Sequence, residues 1–231
     1  MIRIHEKKAA FDHICRVYDE YAGSLALACH RGCAACCTTN VIITSLEAWI
    51  LAAYLDQAGR ADLFDTMEAA AHTYRQQPQQ TLNSLAAAYH HQPGETPAAE
   101  EESAKRAACP LLSDEECPVY PARPFACRCL VSQSDCRKQG YARVEPLTIT
   151  VGHVMQQYIE HVDRPGVTGN MLDLVPALRD RQRRDQYAAG EVSFLTGNFL
   201  ENRPAVMLLA GAEEGPALEP ILAALNRGGP P

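Results

Sequence analysis

Cys29, Cys33, Cys36 and Cys37 place four of the chain's ten cysteines within nine residues. Five more follow far downstream, at Cys109, Cys117, Cys127, Cys129 and Cys136, after about seventy residues without one. Thiolate is a soft donor that suits zinc and iron–sulfur clusters and serves magnesium or calcium poorly. The chemistry these residues point to is therefore metal binding. It requires the two groups to meet in space.

The upstream spacing has a plainer reading, and helix geometry weighs the two. Offsets of 0, 4, 7 and 8 lie on one face of an α-helix, where four cysteines would simply pack as small core residues. A straight helix would hold Cys29 and Cys36 about 10.5 Å apart along its axis. Two ligands of one zinc, each on a bond of about 2.3 Å, sit closer than roughly 4 Å. The metal reading thus needs the chain to bend, and Gly32 is the residue able to turn it. Ala34 and Ala35 then form a tight knuckle between Cys33 and Cys36. Neighbouring side chains diverge in any regular backbone, so Cys36 and Cys37 are expected to play different roles. One serves a first metal; the other serves a second or stays a free thiol.

The downstream group runs Cys109-Pro110-Leu111-Leu112, Cys117-Pro118-Val119-Tyr120, Arg123-Pro124-Phe125-Ala126-Cys127-Arg128 and Cys136. The prolines fix the backbone and leave neighbouring N–H groups to donate to sulfur. Arg123 and Arg128 are either counter-charges to a polythiolate site or ordinary surface charges.

These elements, with Cys33-Ala34-Ala35-Cys36-Cys37 and the helix containing Glu47, resemble the YkgJ-like cysteine-cluster family of zinc- or iron-chelating proteins. The likeness covers roughly residues 29 to 140. It implies a metal ligand set of Cys29, Cys33, Cys36, Cys37, Cys109, Cys117, Cys127 and Cys136. It also implies a cofactor that is an iron–sulfur cluster, [4Fe–4S] above all, or Zn2+. Two departures stand out. Cys29 lies four residues before Cys33, where many members have a three-residue step. Cys129 takes a position where many have an aromatic residue. The family supplies no reaction.

Eight thiolates complete two tetrahedral zinc sites. Irregular multi-cysteine loops also suit iron–sulfur clusters, which tips the balance slightly that way. The step Cys29-x-x-x-Cys33-x-x-Cys36 matches the spacing by which radical S-adenosylmethionine enzymes hold a [4Fe–4S] cluster. However, Ala35 replaces their usual aromatic, and the alternating strands and helices of their barrel are absent. Three functions remain open: a metal-binding protein in electron transfer or metal handling, a methyltransferase-like enzyme using S-adenosylmethionine, or a zinc-stabilised module for binding another protein. In the enzyme reading Cys37 or Cys129 would be a reactive thiol.

The rest of the chain bounds these readings. Its 231 residues suffice for a hydrophobic core without disulfide staples. With 21 basic and 28 acidic residues the net charge is −7, which disfavours nucleic acid and anionic membranes as partners. No apolar run has the length of a signal peptide or a membrane span, so a cytoplasmic location with reduced thiols is expected.

The expected scaffold is mainly α, with irregular cysteine-rich loops organised around the metal. Phe11, Ile14, Tyr18, Tyr21 and Leu25 mark a helix over 5–27, with Cys15 as a small core residue. Val41 to Ile43 is a short β-branched run. Thr44-Ser45-Leu46-Glu47 is a capping box opening a helix to Gln57, closed by Gly59, with Trp49 at the core edge. Helices are expected over 61–76 and 79–91, the second starting at Pro78 and ending at His90 and His91, a solvated turn rather than a metal site. An acidic, proline-containing linker spans 92–103. Leu147 to Val151 reads as extended, followed by a helix through Tyr158, then a break at Arg164-Pro165-Gly166. A helix over 171–188 carries Arg179, Arg181, Arg183 and Arg184 on solvated faces, and a last one covers Leu218 to Leu225. Residues 1–164 form the cysteine-cluster domain. Residues 165–231 are a C-terminal helical extension, separate or part of the same domain.

Overall fold

The computed structural model describes residues 2–91 and 107–227. The expected linker over 92–103 lies wholly outside them. The described chain is mainly helical, with a small three-stranded antiparallel sheet. α1 (Ile4–Gly23) buries Phe11, Ile14, Cys15 and Tyr18, the face set by their three- and four-residue spacing. It ends four residues earlier than its periodicity suggests, and residues 24–41 then run without helix. That release frees the first cysteine group from helical geometry.

β1 (Ile42–Thr44) leads directly into α2 (Ser45–Gln57). The capping box forms as its sequence requires: Thr44 N–H donates to Glu47 Oε2 at 2.8 Å, and Glu47 N–H donates to Thr44 Oγ1 at 3.4 Å. Gly59, at φ +64°, takes the left-handed turn that closes the helix. Trp49 sits at the core edge and donates its indole N–H to Arg184 O at 3.1 Å.

α3 (Asp62–Ala69) continues as a 3₁₀ turn to His72, not as helix to residue 76. α4 (Leu82–His91) begins later than Pro78, because Thr81 Oγ1 accepts the Ser84 N–H at 3.1 Å and acts as the cap. Two short helices interrupt the downstream cysteine region, α5 (Phe125–Cys129) and α6 (Cys136–Gln139).

α7 (Pro146–Val162) is helical throughout, including Leu147 to Val151, which sequence preference makes extended. Pro146 suits the first turn of a helix, and burial of Thr148, Val151, Met155 and Ile159 against α1 and its neighbours overrides the modest β preference of Thr, Ile and Val. β2 (Val167–Asn170) pairs with β1 on one side and β3 (Leu200–Glu201) on the other. The expected helix over 171–188 divides into α8 (Met171–Ala177) and α9 (Arg181–Ala188). Arg184 is buried, against expectation, and its guanidinium reaches Asp56 at 2.6 Å. α10 (Gly215–Asn226) packs on α1.

Two apolar clusters form the core. One joins α2, α3 and α8 with Leu111 and Val119 of the cysteine loops. The other joins α1, α7 and α10 with Phe125. At their junction Asp163 is fully buried. Its carboxylate accepts from Lys7 Nζ at 3.2 Å, Ser45 Oγ at 2.6 Å, Leu46 N–H at 2.9 Å, Asn202 Nδ2 at 3.0 Å and the Tyr187 hydroxyl. Burial pushes its pKa up, and Lys7 is the principal opposing influence. Among the described residues, no helix is long and apolar enough to cross a membrane.

Candidate metal centre

The segment from Cys29 to Cys37 is not a helix. It makes two successive turns, with Cys33 N–H donating to His30 O at 3.0 Å and Cys37 N–H to Ala34 O at 3.1 Å. Gly32 stands at φ +84°, a conformation that side-chain-bearing residues rarely take, so the bend occurs at the residue built for it. A single helical stripe of buried cysteines is thereby removed as an explanation.

The turns send the cysteines toward two different parts of the downstream region. In one direction, Ala28 N–H donates to Ser132 O at 2.8 Å, and Ser132 N–H donates to Cys29 Sγ at 3.2 Å. Arg137, beside Cys136, donates to Gly32 O at 2.7 Å. Cys29, Cys33 and Cys136 line one recess together, and negative charge on Cys33, Cys36 or Cys136 would disfavour charge on Cys29. Cys29, Cys33, Cys36 and Cys136 form what we term the outer set.

In the other direction, Cys109 N–H donates to Cys37 O at 3.1 Å and Thr39 N–H to Ala107 O at 3.0 Å, next to an antiparallel bridge between Thr38 and Ala108. Cys37 is coupled in the same electrostatic way to Cys127, Cys109 and Cys117. These four are the inner set. Cys109, Cys117 and Cys127 pack against the α2–α3–α8 core.

Each Cys-Pro turn serves its own sulfur. Burial raises the pKa of Cys109 and of Cys117, opposed by the Leu111 and Leu112 amides at the first and the Val119 amide at the second. Cys117 is delivered by a tight turn in which Ser113 and Glu116 exchange backbone hydrogen bonds while Asp114 and Glu115 take positive φ. Cys127 rides on α5. The N-terminus of α5 is fixed from below: Phe125 N–H donates to Glu47 Oε1 at 2.8 Å. Glu47 thus caps α2 with one oxygen and holds the Cys127 helix with the other. Its capping role was legible in the sequence. The bond to Phe125, 78 residues away, was not.

The sets touch at Cys36 and Cys37. The adjacent thiols bias each other, lowering the pKa of Cys37 and raising that of Cys36. Cys36 is exposed. A recess of about 210 Å³ lies over this junction, lined by all the inner cysteines and by Cys29, Cys33 and Cys36. Arg123 stands at its wall, stacked 4.1 Å above the Tyr120 ring, and its charge partly opposes the raised pKa of Cys36 and Cys117. Arg128 lines the same recess but is committed to Asp19 at 2.8 Å.

Two cysteines stand apart. Cys15 is buried in α1, and burial pushes its thiol up to about 12. Cys129 packs against Gly152 and accepts from Gln156 Nε2 at 3.6 Å; burial pushes it up to about 12 as well. Of the two thiols named for the enzyme reading, Cys37 or Cys129, the raised pKa makes Cys129 the less suited, since reactivity requires a depressed pKa and access. His90 is exposed at the end of α4, away from both sets; the side chain of His91 lies outside the described residues.

Eight soft donors in two sets of four, with N–H groups directed at several sulfurs, fit tetrahedral zinc or iron–sulfur ligation in kind and number. Among the described residues, no three His, Cys, Asp or Glu side chains converge closely enough to form a closed metal-ion site as they stand. No protein-family model, no curated protein and no solved structure matches the chain.

Proposed function

We propose that this chain binds metal through eight cysteine thiolates in two centres, and that it acts in electron transfer or metal handling. Cys29, Cys33, Cys36 and Cys136 would hold one centre; Cys37, Cys109, Cys117 and Cys127 would hold the other. The metal would be zinc or the iron of an iron–sulfur cluster.

The observation that carries this reading is the division of the eight thiols. Two distant cysteine groups meet around one recess, with Cys29 and Cys33 beside Cys136 on one side and Cys37 bonded to Cys109 on the other, which supports a reading of two fours. Four thiolates is the complement of a closed zinc site and of an iron–sulfur cluster alike. The alternative use of clustered cysteines, as disulfides, finds no support in the structure, where all ten are free. Bound metal would supply either a redox couple or a fixed structural and transferable ion. The chain's own residues would supply the N–H donors at Cys29, Cys109 and Cys117 and the compensating charge of Arg123.

The deciding experiment is anaerobic purification, followed by measurement of iron, zinc and acid-labile sulfide per chain and a visible spectrum. A brown protein with iron and sulfide identifies clusters. A colourless one with two zinc ions per chain identifies tetrahedral sites, zinc being d¹⁰. A colourless, metal-free and stably folded protein overturns the proposal.

A further inference from the structure

The two sets differ in how the fold holds them. Cys109, Cys117 and Cys127 lie on segments anchored by the fully packed side chains of Leu111, Val119 and Phe125, which are 3%, 2% and 0% exposed. Glu47 ties the Cys127 helix to α2 from inside the core. Cys37 is pinned to Cys109 through the backbone. None of these four is exposed.

The outer set has no such apolar anchoring. Cys29 and Cys36 are exposed, and Cys29, Cys33 and Cys36 sit on the bare turns of residues 28–37. The residues between them, from His30 to Ala35, contribute nothing to either apolar cluster. Cys136 opens a helix of four residues with no buried side chain. What joins the two walls is polar: Ala28 N–H to Ser132 O, Ser132 N–H to Cys29 Sγ, Arg137 to Gly32 O and to Glu115, and Arg31 to Glu116, with both ion pairs solvent-exposed. Exposed pairs of this kind contribute little and weaken with salt.

Resting on the two-centre reading, we infer that the outer set is the exchangeable centre, through which metal enters and leaves, while the inner set keeps its metal. Removing an ion from a thiolate site requires an incoming ligand to reach it and the protein ligands to part. Segments with few buried contacts and exposed hydrogen bonds open at low cost, and segments rooted in a core do not. Both requirements are met best at Cys29 and Cys36, exposed on the bare turns, whereas Cys109, Cys117 and Cys127 are partly covered and rooted in the core. The partner implied is a soft-metal donor or acceptor, presenting thiolates of its own, that docks over the turns at residues 28–37.

The test uses the full chain as purified anaerobically with its metal. The protein is treated with excess EDTA in the presence of N-ethylmaleimide, which adds each freed thiolate sulfur across its double bond while a proton from water completes the ring carbon. Labelled peptides are read by mass spectrometry, and released metal is counted over time. Protein stripped of metal beforehand is the control for simple accessibility. The expected result is two phases: half of the metal leaves first, together with labelling of Cys29, Cys33 and Cys136, while Cys109, Cys117 and Cys127 stay protected relative to the stripped control. Cys136→Ser, outside the core, should lack the fast phase and retain the slow one. Release in one phase, or labelling of the inner cysteines first, overturns the inference and leaves the two-centre reading intact. Equal labelling of loaded and stripped protein with no metal released overturns both.

Discussion

Glu47 Oε1 accepts the backbone N–H of Phe125 at 2.8 Å in a fully buried setting. One carboxylate therefore completes the start of α2 and seats the short helix that carries Cys127. Burial raises the pKa of this group, opposed by the amides of Thr44 and Phe125. Replacing Glu47 by Ala strands three donors: those two amides and the Thr44 hydroxyl. The expected loss is about 2–4 kcal/mol, from buried donors left unmade. Urea denaturation of the metal-stripped chain measures it. A change below about 0.5 kcal/mol, the range of ordinary surface substitutions, would show that the bond to Phe125 is dispensable.

Cys36→Ser and Cys37→Ser test the division of the two sets at its seam. Adjacent in sequence, each should remove a different centre. Each variant is expected to retain half of the wild-type metal after gel filtration, and the double variant little or none. Metal content by emission spectrometry decides. Loss of all metal from either single variant would mean that the eight thiols form one cooperative centre.

Cys15 and Cys129 should be silent toward metal. Cys129→Ala is expected to leave metal content unchanged. Cys15→Ser should also bind a full complement, at a stability cost of about 1–3 kcal/mol for placing a hydroxyl in the core beside Ile14 and Tyr18. Both thiols should resist alkylation near neutral pH, since burial pushes each up to about 12. Reduced metal content in Cys129→Ala would bring that residue into the ligand set.

The Lys7–Asp163 pair gives a pH-dependent prediction. Lys7→Met leaves a fully buried carboxylate without its cation and should cost about 3–5 kcal/mol at neutral pH. The sign follows from the direction of the shift. Burial already raises the folded-state pKa of Asp163, and removing Lys7 raises it further. A raised carboxyl favours folding most below its unfolded value of about 3.9 and loses that contribution as pH climbs to the folded value. The deficit of Lys7→Met is therefore largest at neutral pH and shrinks as pH falls through the variant's raised pKa. Denaturant midpoints of both proteins at pH 7 and pH 5 check this; a deficit that grows on acidification would contradict it.

Gly166 lies where a Cβ would collide with the Asp163 carbonyl and carboxylate. Gly166→Ala should destabilise the chain by roughly 1–3 kcal/mol through forced displacement of that hub. Thermal unfolding reads the effect, and an unchanged midpoint would show that the Asp163 backbone yields freely.

Part of this molecule was legible from local chemistry alone. The face of α1 follows from the spacing of Phe11, Ile14 and Tyr18, and the start of α2 from Thr44 and Glu47, because both depend on residues within one or two helical turns. The bend at Gly32 follows from the one residue free to turn there. The expectation of soft-metal chemistry follows from the donor atoms themselves.

Tertiary structure decided the rest, wherever the determining partner is distant in the chain. Leu147 to Val151 have β-branched chemistry but fold as helix, because α1 offers them a surface to bury against. Arg184 carries the same charge as its solvated neighbours Arg181 and Arg183, yet it is buried because Asp56 and the carbonyls of Leu178 and Arg179 lie opposite. Clustered cysteines raised the expectation of metal from the sequence. How they are disposed in space depended on two long-range contacts, Ser132 with Cys29 and Cys37 with Cys109, at different walls of one recess.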